Sequence, residues 1–155
     1  MKDVYLGLGA NVGNRKANIK KAVSLLDQHE SVDVIKVSTL IETKPRSRIR
    51  HPDFINGAVY LRTILTLQEL FELTSEIEKK CGRATKGNDD PRSIDLDILF
   101  YGTDILCQDD LTVPHPMLHE RDFVLIPLME LCPTFVHPVL GESVSVLYKQ
   151  VVWGM

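Results

Sequence analysis

Apolar and polar positions alternate over residues 3–9. Val4, Leu6 and Leu8 fall on one side of an extended chain and Tyr5 and Gly7 on the other, which predicts a strand. Ala10 to Asn14 reads as a turn-rich loop. Ile19, Ala22, Val23 and Leu26 then recur at helical spacing. Residues 32–42, rich in Val, Ile and Thr, predict one long strand. Two prolines and a basic cluster make 43–53 a loop. Residues 54–63 predict a strand with Ile55, Val59 and Leu61 on one face and Asn56 on the other. Thr66 and Glu69 form a T-x-x-E capping box, and the helix behind it carries Leu70, Leu73, Thr74, Ile77 and Cys81 on one stripe until Gly82 stops it. Polar, irregular sequence follows over 83–92. The sharpest alternation lies at 93–101, where Ile94, Leu96, Ile98 and Phe100 interleave with Asp95, Asp97, Leu99 and Tyr101. A Gly102-Thr103 turn, a short strand ending at Pro114, a helix over 123–131 and a further helix over 143–151 complete the chain.

The first hundred residues thus spell β-α-β-β-α-β. That order predicts an α+β fold: a ferredoxin-like core with helices packed on an antiparallel sheet, plus a C-terminal extension. The length of 155 residues fits a single domain over 1–155. With 44% apolar residues the chain can bury a core, which argues against disorder. The net charge of −3 gives no general attraction to nucleic acid or anionic membrane. Positive charge is concentrated instead at Lys44, Arg46, Arg48 and Arg50. No apolar run approaches the roughly 20 residues of a membrane span, and the N-terminus lacks the apolar stretch of a signal peptide. Cys81, Cys107 and Cys132 have no C-x-x-C spacing and read as reduced, buried thiols of a cytoplasmic protein.

Candidate chemistry centres on Asp95 and Asp97. Strand period places both on one face, where two carboxylates of a central strand would repel each other and resist ionisation on burial. A divalent cation removes that conflict, and Mg²⁺ takes one or two carboxylates together with phosphate oxygens and water. The alternative is a solvated strand face with two ordinary acids. Arg83, Arg92, His115 and Arg121 flank the pair in sequence, the arrangement expected around a metal-bound polyphosphate. Glu78 adds a smaller clue: it stands in the last turn of its helix, where a negative charge opposes the helix dipole, although neutralisation by Lys79 and Lys80 is the plain alternative.

Other patterns carry less. Gly7, Gly9 and Gly13 sit between a strand and a helix, as in dinucleotide-binding folds, but two strands then follow without an intervening helix. Those glycines read more simply as permitting a tight turn and close backbone approach. His115 and His119 are four apart, yet Pro114 and Pro116 preclude a regular metal-binding helix. A non-catalytic nucleotide- or RNA-binding module is the competing class. Aromatic content of only 6% and the absence of an RNP-type segment count against it.

Four segments together resemble the 6-hydroxymethyl-7,8-dihydropterin pyrophosphokinase family over nearly the whole chain: Leu6 to Arg15, Asp53 to Ala58, Pro91 to Ile98, and Val113 to Pro116 with Arg121 to Phe123. The resemblance implies transfer of the βγ-diphosphate of ATP to a pterin alcohol. It implies that Asp95 and Asp97 bind two Mg²⁺ ions, with Arg83 and Arg92 acting beside them in catalysis. Glu78, Arg83, Arg92, Ile98, Thr112, His115 and Arg121 would contact ATP. Thr43, Phe54, Asn56 and Phe123 would bind the pterin, the two aromatic rings stacking on its faces. ATP and the dihydropterin alcohol are the expected partners of a monomer that engages neither nucleic acid nor membrane. One departure stands out: the loop Ala84 to Asp90 lacks the second arginine and the tryptophan that many members carry, with Lys86 the nearest replacement for the cation.

Overall fold

The structure, a computed structural model, describes residues 1–43, 54–82 and 94–154. Its main sheet contains β1 (Lys2–Ala10), β2 (Val32–Val37), β3 (Ile41–Thr43), β4 (Phe54–Thr63) and β5 (Asp95–Tyr101). The strands run in the order β2-β4-β1-β5, with β3 also pairing with β4, and every pairing is antiparallel. Strands β1 and β2, joined by α1 (Arg15–Asp27), are separated by β4, as the β-α-β-β-α-β reading predicts. A hairpin of β6 (Leu106–Cys107) and β7 (Thr112–Val113) follows. The chain then forms a 3₁₀ turn at Leu118–Glu120, α3 (Asp122–Leu131) and α4 (Val144–Trp153).

Local chemistry explains the helix boundaries. The Asn14 side chain accepts from the Ala17 N–H at 3.1 Å and starts α1. Helix α2 (Leu67–Lys80) opens on the predicted capping box: Glu69 N–H donates to Thr66 Oγ1 at 3.1 Å, and Thr66 N–H donates to the Glu69 carboxylate at 2.9 Å. Gly82, at φ +95°, ends it. Ser143 caps α4 through the Val146 N–H.

Two cores lie on opposite faces of the sheet. Val4, Leu6, Leu8 and Ala10 of β1 pack with Ile19, Ala22 and Leu26 of α1 and Leu70 and Ile77 of α2. On the other face Tyr5, Ala58, Leu99 and Phe100 pack under Leu118, Leu125, Leu128, Val144 and Leu147. Fully burying each such aliphatic side chain contributes about 1.5–3 kcal/mol.

The structure corrects four expectations. The long strand over 32–42 is broken at 38–40, where Ser38 Oγ accepts from the Ala58 N–H at 2.8 Å and redirects the chain from β2 into β3. Strand β5 is an edge strand among the described residues rather than a central one. Its alternation is interrupted by a bulge: Tyr5 pairs with Phe100 and Leu6 with Ile98, so Leu99 is the extra residue. The bulge moves Phe100 to the face of Leu99, against Phe135 at a 4.6 Å ring separation, and sends Tyr101 to the α1–α2 side. Finally, Cys107 is exposed on the β6–β7 hairpin, whereas Cys81 and Cys132 are buried. Burial pushes the Cys132 thiol up to about 12, partly offset by its bond with Tyr5.

Candidate active site

Strand register brings the predicted site residues of three strands into rows. Gly9 of β1 pairs with Asn56 on one side and Asp95 on the other, and Gly7 pairs with Ala58 and Asp97. Directly opposed residues of neighbouring strands project from the same face. Asn56, Gly9 and Asp95 therefore form one cross-strand row, with Ala58, Gly7 and Asp97 the next. Neighbouring strands lie about 4.8 Å apart, so Asn56 and Asp95 stand roughly 10 Å from each other across a residue with no side chain.

That missing side chain shapes the floor. A Cβ at Gly9 would lie 3.2 Å from Asn56 Oδ1, 3.8 Å from Phe54 Cδ1 and 4.0 Å from the Asp95 Cβ. The glycine keeps a trough open between the amide and the carboxylates. Its backbone is extended, so closeness of neighbours rather than an unusual φ is what calls for glycine here.

At the β4 end, Asn56 is buried and its Nδ2 donates to Thr43 Oγ1, which fixes the amide and turns Oδ1 toward the Gly9 side. Thr43 pairs with Phe54 in the β3–β4 ladder, so the threonine, the amide and this aromatic ring form one unit. Phe123 lies in the first turn of α3, half-buried, with the Arg121 guanidinium 5.7 Å from its ring centre.

At the β5 end, Asp95 and Asp97 are half-buried and their Cα atoms are roughly 7 Å apart by strand rise. Among the described residues no three His, Cys, Asp or Glu side chains converge as a complete metal cage. Two carboxylates beside an open trough are a donor set that suits Mg²⁺ completed by phosphate oxygens and water. The Glu78 carboxylate, buried on α2, accepts from the backbone N–H of Leu96 at 2.8 Å and so supports the strand between the two aspartates.

The bulge also positions His115. Its N–H donates to the carbonyl of the extra residue, Leu99, at 3.0 Å, tying the segment after β7 to β5. His115 Nδ1 accepts from the Met117 N–H at 3.2 Å, so the neutral ring carries its proton on Nε2. Thr112 lies in β7, its hydroxyl bonded to the Gln108 carbonyl. The Ile98 side chain is buried in the α1–α2 core, on the opposite face from the aspartates. Arg83, Arg92, the loop 84–90 and the basic cluster 44–50 lie outside the described residues. In sequence, Gly7 and Gly9 read as permitting a tight turn and close backbone approach. Their role as the floor of a trough requires the cross-strand register, and the one clue to it was two glycines on the strand face opposite Val4, Leu6 and Leu8.

The chain is 44% identical over 128 residues to the 2-amino-4-hydroxy-6-hydroxymethyldihydropteridine pyrophosphokinase of Bacillus subtilis, covering 83% of this chain and 77% of that protein. It is 40% identical over 145 residues to the Aquifex aeolicus protein of the same name, covering 94% and 89%. In structure it resembles the wild-type HPPK-DHPS of Plasmodium falciparum, with a TM-score of 0.76 at 16% identity. That match, which speaks to fold alone, spans 99% of this chain but only 45% of the other. The model of the 7,8-dihydro-6-hydroxymethylpterin-pyrophosphokinase family matches residues 5–133, and the chain belongs to that family.

Proposed function

We propose that the chain transfers the βγ-diphosphate of ATP to the hydroxymethyl oxygen of 6-hydroxymethyl-7,8-dihydropterin, releasing AMP, as a step of folate biosynthesis. Enzymes of the family are pyrophosphokinases that use ATP. The observation that supports the assignment of roles is the row Asn56–Gly9–Asp95, an amide and a carboxylate on either side of a residue with no side chain.

Asn56 and Thr43 recognise the polar edge of the pterin, since an amide offers both donor and acceptor to a heteroaromatic edge. Phe54 and Phe123 stack on its two faces. Asp95 and Asp97 hold two Mg²⁺ ions, which supply charge neutralisation of the polyphosphate when bound. Arg83 and Arg92 act with the aspartates in catalysis and, with Glu78, Ile98, Thr112, His115 and Arg121, contact ATP. Ile98 does so through its backbone, because its side chain is in the core. The substrate oxygen attacks the β-phosphorus in line. Holding both substrates in that geometry can supply about 7–11 kcal/mol of barrier reduction. No protein nucleophile is required, and the substrate proton would pass to Asp97 or to a water beside it. The chain works as one domain over 1–155, a monomer of the cytoplasm. Among the described residues no helix is long and apolar enough to cross a membrane.

The test is AMP production from ATP and 6-hydroxymethyl-7,8-dihydropterin with Mg²⁺. Pterin-dependent AMP is expected, and its absence refutes the reading. Asp97→Ala should retain the fold and lose at least about 10²–10³-fold in turnover, the scale of losing one group that stabilises transition-state charge. A binding module without catalysis would instead bind ligand and release no AMP.

A further inference from the structure

Helix α3 packs against β4 on the sheet face opposite α1 and α2. It begins just after the segment tied to edge strand β5 by the His115–Leu99 backbone bond. It ends at the opposite edge, where Glu130 meets the break between β2 and β3. The far contact is two-pronged: Thr39 donates its backbone N–H to one Glu130 carboxylate oxygen at 2.6 Å and its hydroxyl to the other at 2.6 Å. Bonds to an ionised acceptor are among the stronger ones, and two together fix orientation as well as distance. These bonds also hold the Glu130 carboxyl below its usual range, so it stays charged at neutral pH.

The two ends of this contact lead to two groups of expected pterin-binding residues. Four residues beyond Thr39 stands Thr43, bonded to Asn56, and seven residues before Glu130 stands Phe123. We infer that Glu130 is a positioning residue for the pterin: by holding α3 against Thr39 it sets the separation between Phe123 and the Asn56–Thr43 pair. The inference rests on the pyrophosphokinase reading and on Phe123, Asn56 and Thr43 binding the ring. Glu130 itself touches no substrate in this arrangement.

The experiment measures pterin affinity, ATP affinity and turnover for the full chain and for Glu130→Ala, Glu130→Gln and Thr39→Val. Glu130→Ala should weaken pterin binding about tenfold, in keeping with the sensitivity of such sites to sub-ångström misplacement, while ATP affinity changes less than about twofold. Glu130→Gln, whose amide can still accept from the Thr39 N–H and donate to its hydroxyl, should recover most of the loss. The Glu130→Ala/Thr39→Val double variant should be no worse than Glu130→Ala alone, as for two halves of one contact. Equal losses for both substrates, or unchanged pterin affinity in folded variants, would overturn the inference while leaving the functional reading intact. Absence of pterin binding by the unaltered protein would overturn both. If Glu130→Ala does not fold, the Gln and Thr39→Val variants decide the matter by the same comparison.

Discussion

The carboxylate of Glu78, on α2, accepts a 2.8 Å hydrogen bond from the backbone N–H of Leu96, the residue between Asp95 and Asp97. Strand β5 is an edge strand among the described residues, so its outward N–H groups need partners from outside the sheet. Glu78 supplies one from beneath. In sequence its charge looked neutralised by the adjacent lysines, but Lys80 is 3.4 Å from Glu76, and Glu78 is buried. Removal of a charged acceptor from a buried N–H costs about 2 kcal/mol. Glu78→Ala should lower the urea midpoint accordingly and weaken Mg²⁺-dependent ATP binding, because the strand carrying both aspartates loses its support. Glu78→Gln keeps an acceptor and should lose about 1 kcal/mol or less. Unchanged stability and ATP affinity in Glu78→Ala would show that the bond does not support the site.

Gly9 offers a more selective perturbation. Alanine there sets a methyl 3.2 Å from Asn56 Oδ1, while the Asn56 nitrogen is already committed to Thr43. The amide must shift, and the trough narrows. Alanine in a strand interior is otherwise favourable by roughly 0.5–1 kcal/mol relative to glycine, so the fold should survive. Gly9→Ala is expected to reduce pterin affinity about tenfold or more, as a misplaced binding group does, without lowering the melting temperature. Gly7→Ala, whose methyl would have Leu99 as its nearest neighbour at an ordinary 3.5 Å, should be milder. Calorimetric titration of both variants with pterin separates these outcomes, and equal affinities would refute the trough.

His137 predicts the acid limb of the stability profile. It is buried, and its Nδ1 accepts from the backbone N–H groups of Val139 at 3.2 Å and Leu140 at 3.0 Å. Burial, reinforced by repulsion from His119, pushes its pKa below the ordinary 6.5. The unfolded chain therefore binds the proton more readily than the folded one. Stability from this residue is complete above about pH 6.5 and is lost as pH falls through the lower folded value. Urea unfolding at pH 8 and pH 5.5 should show a decline that His137→Gln reduces. A pH dependence identical in the two proteins would refute this assignment.

Much of the fold was legible because its signals are local. The Thr66–Glu69 box, the helical stripe through Leu70 and Ile77, and the alternation along β1 and β4 each rest on residues within a few positions of one another. Elements whose limits depend on partners were misread. The β2–β3 break depends on Ser38 meeting Ala58, twenty residues away. The bulge at Leu99 depends on register against β1. Alternation alone put Phe100 on the wrong face, since nothing in the local pattern encodes an inserted residue.

By itself the sequence determined the element order, the presence of two carboxylates one strand period apart, and the motifs that identify the family. These are properties of spacing and residue type, and spacing survives without a structure. Only the tertiary structure decided that Gly9 separates Asn56 from Asp95, that Glu78 braces Leu96, and that Glu130 ties α3 to Thr39. Each of these joins residues from different elements, and the joining is set by strand register and by how the helices cross the sheet. Both are settled by packing the whole core at once, which is why they appear only in three dimensions.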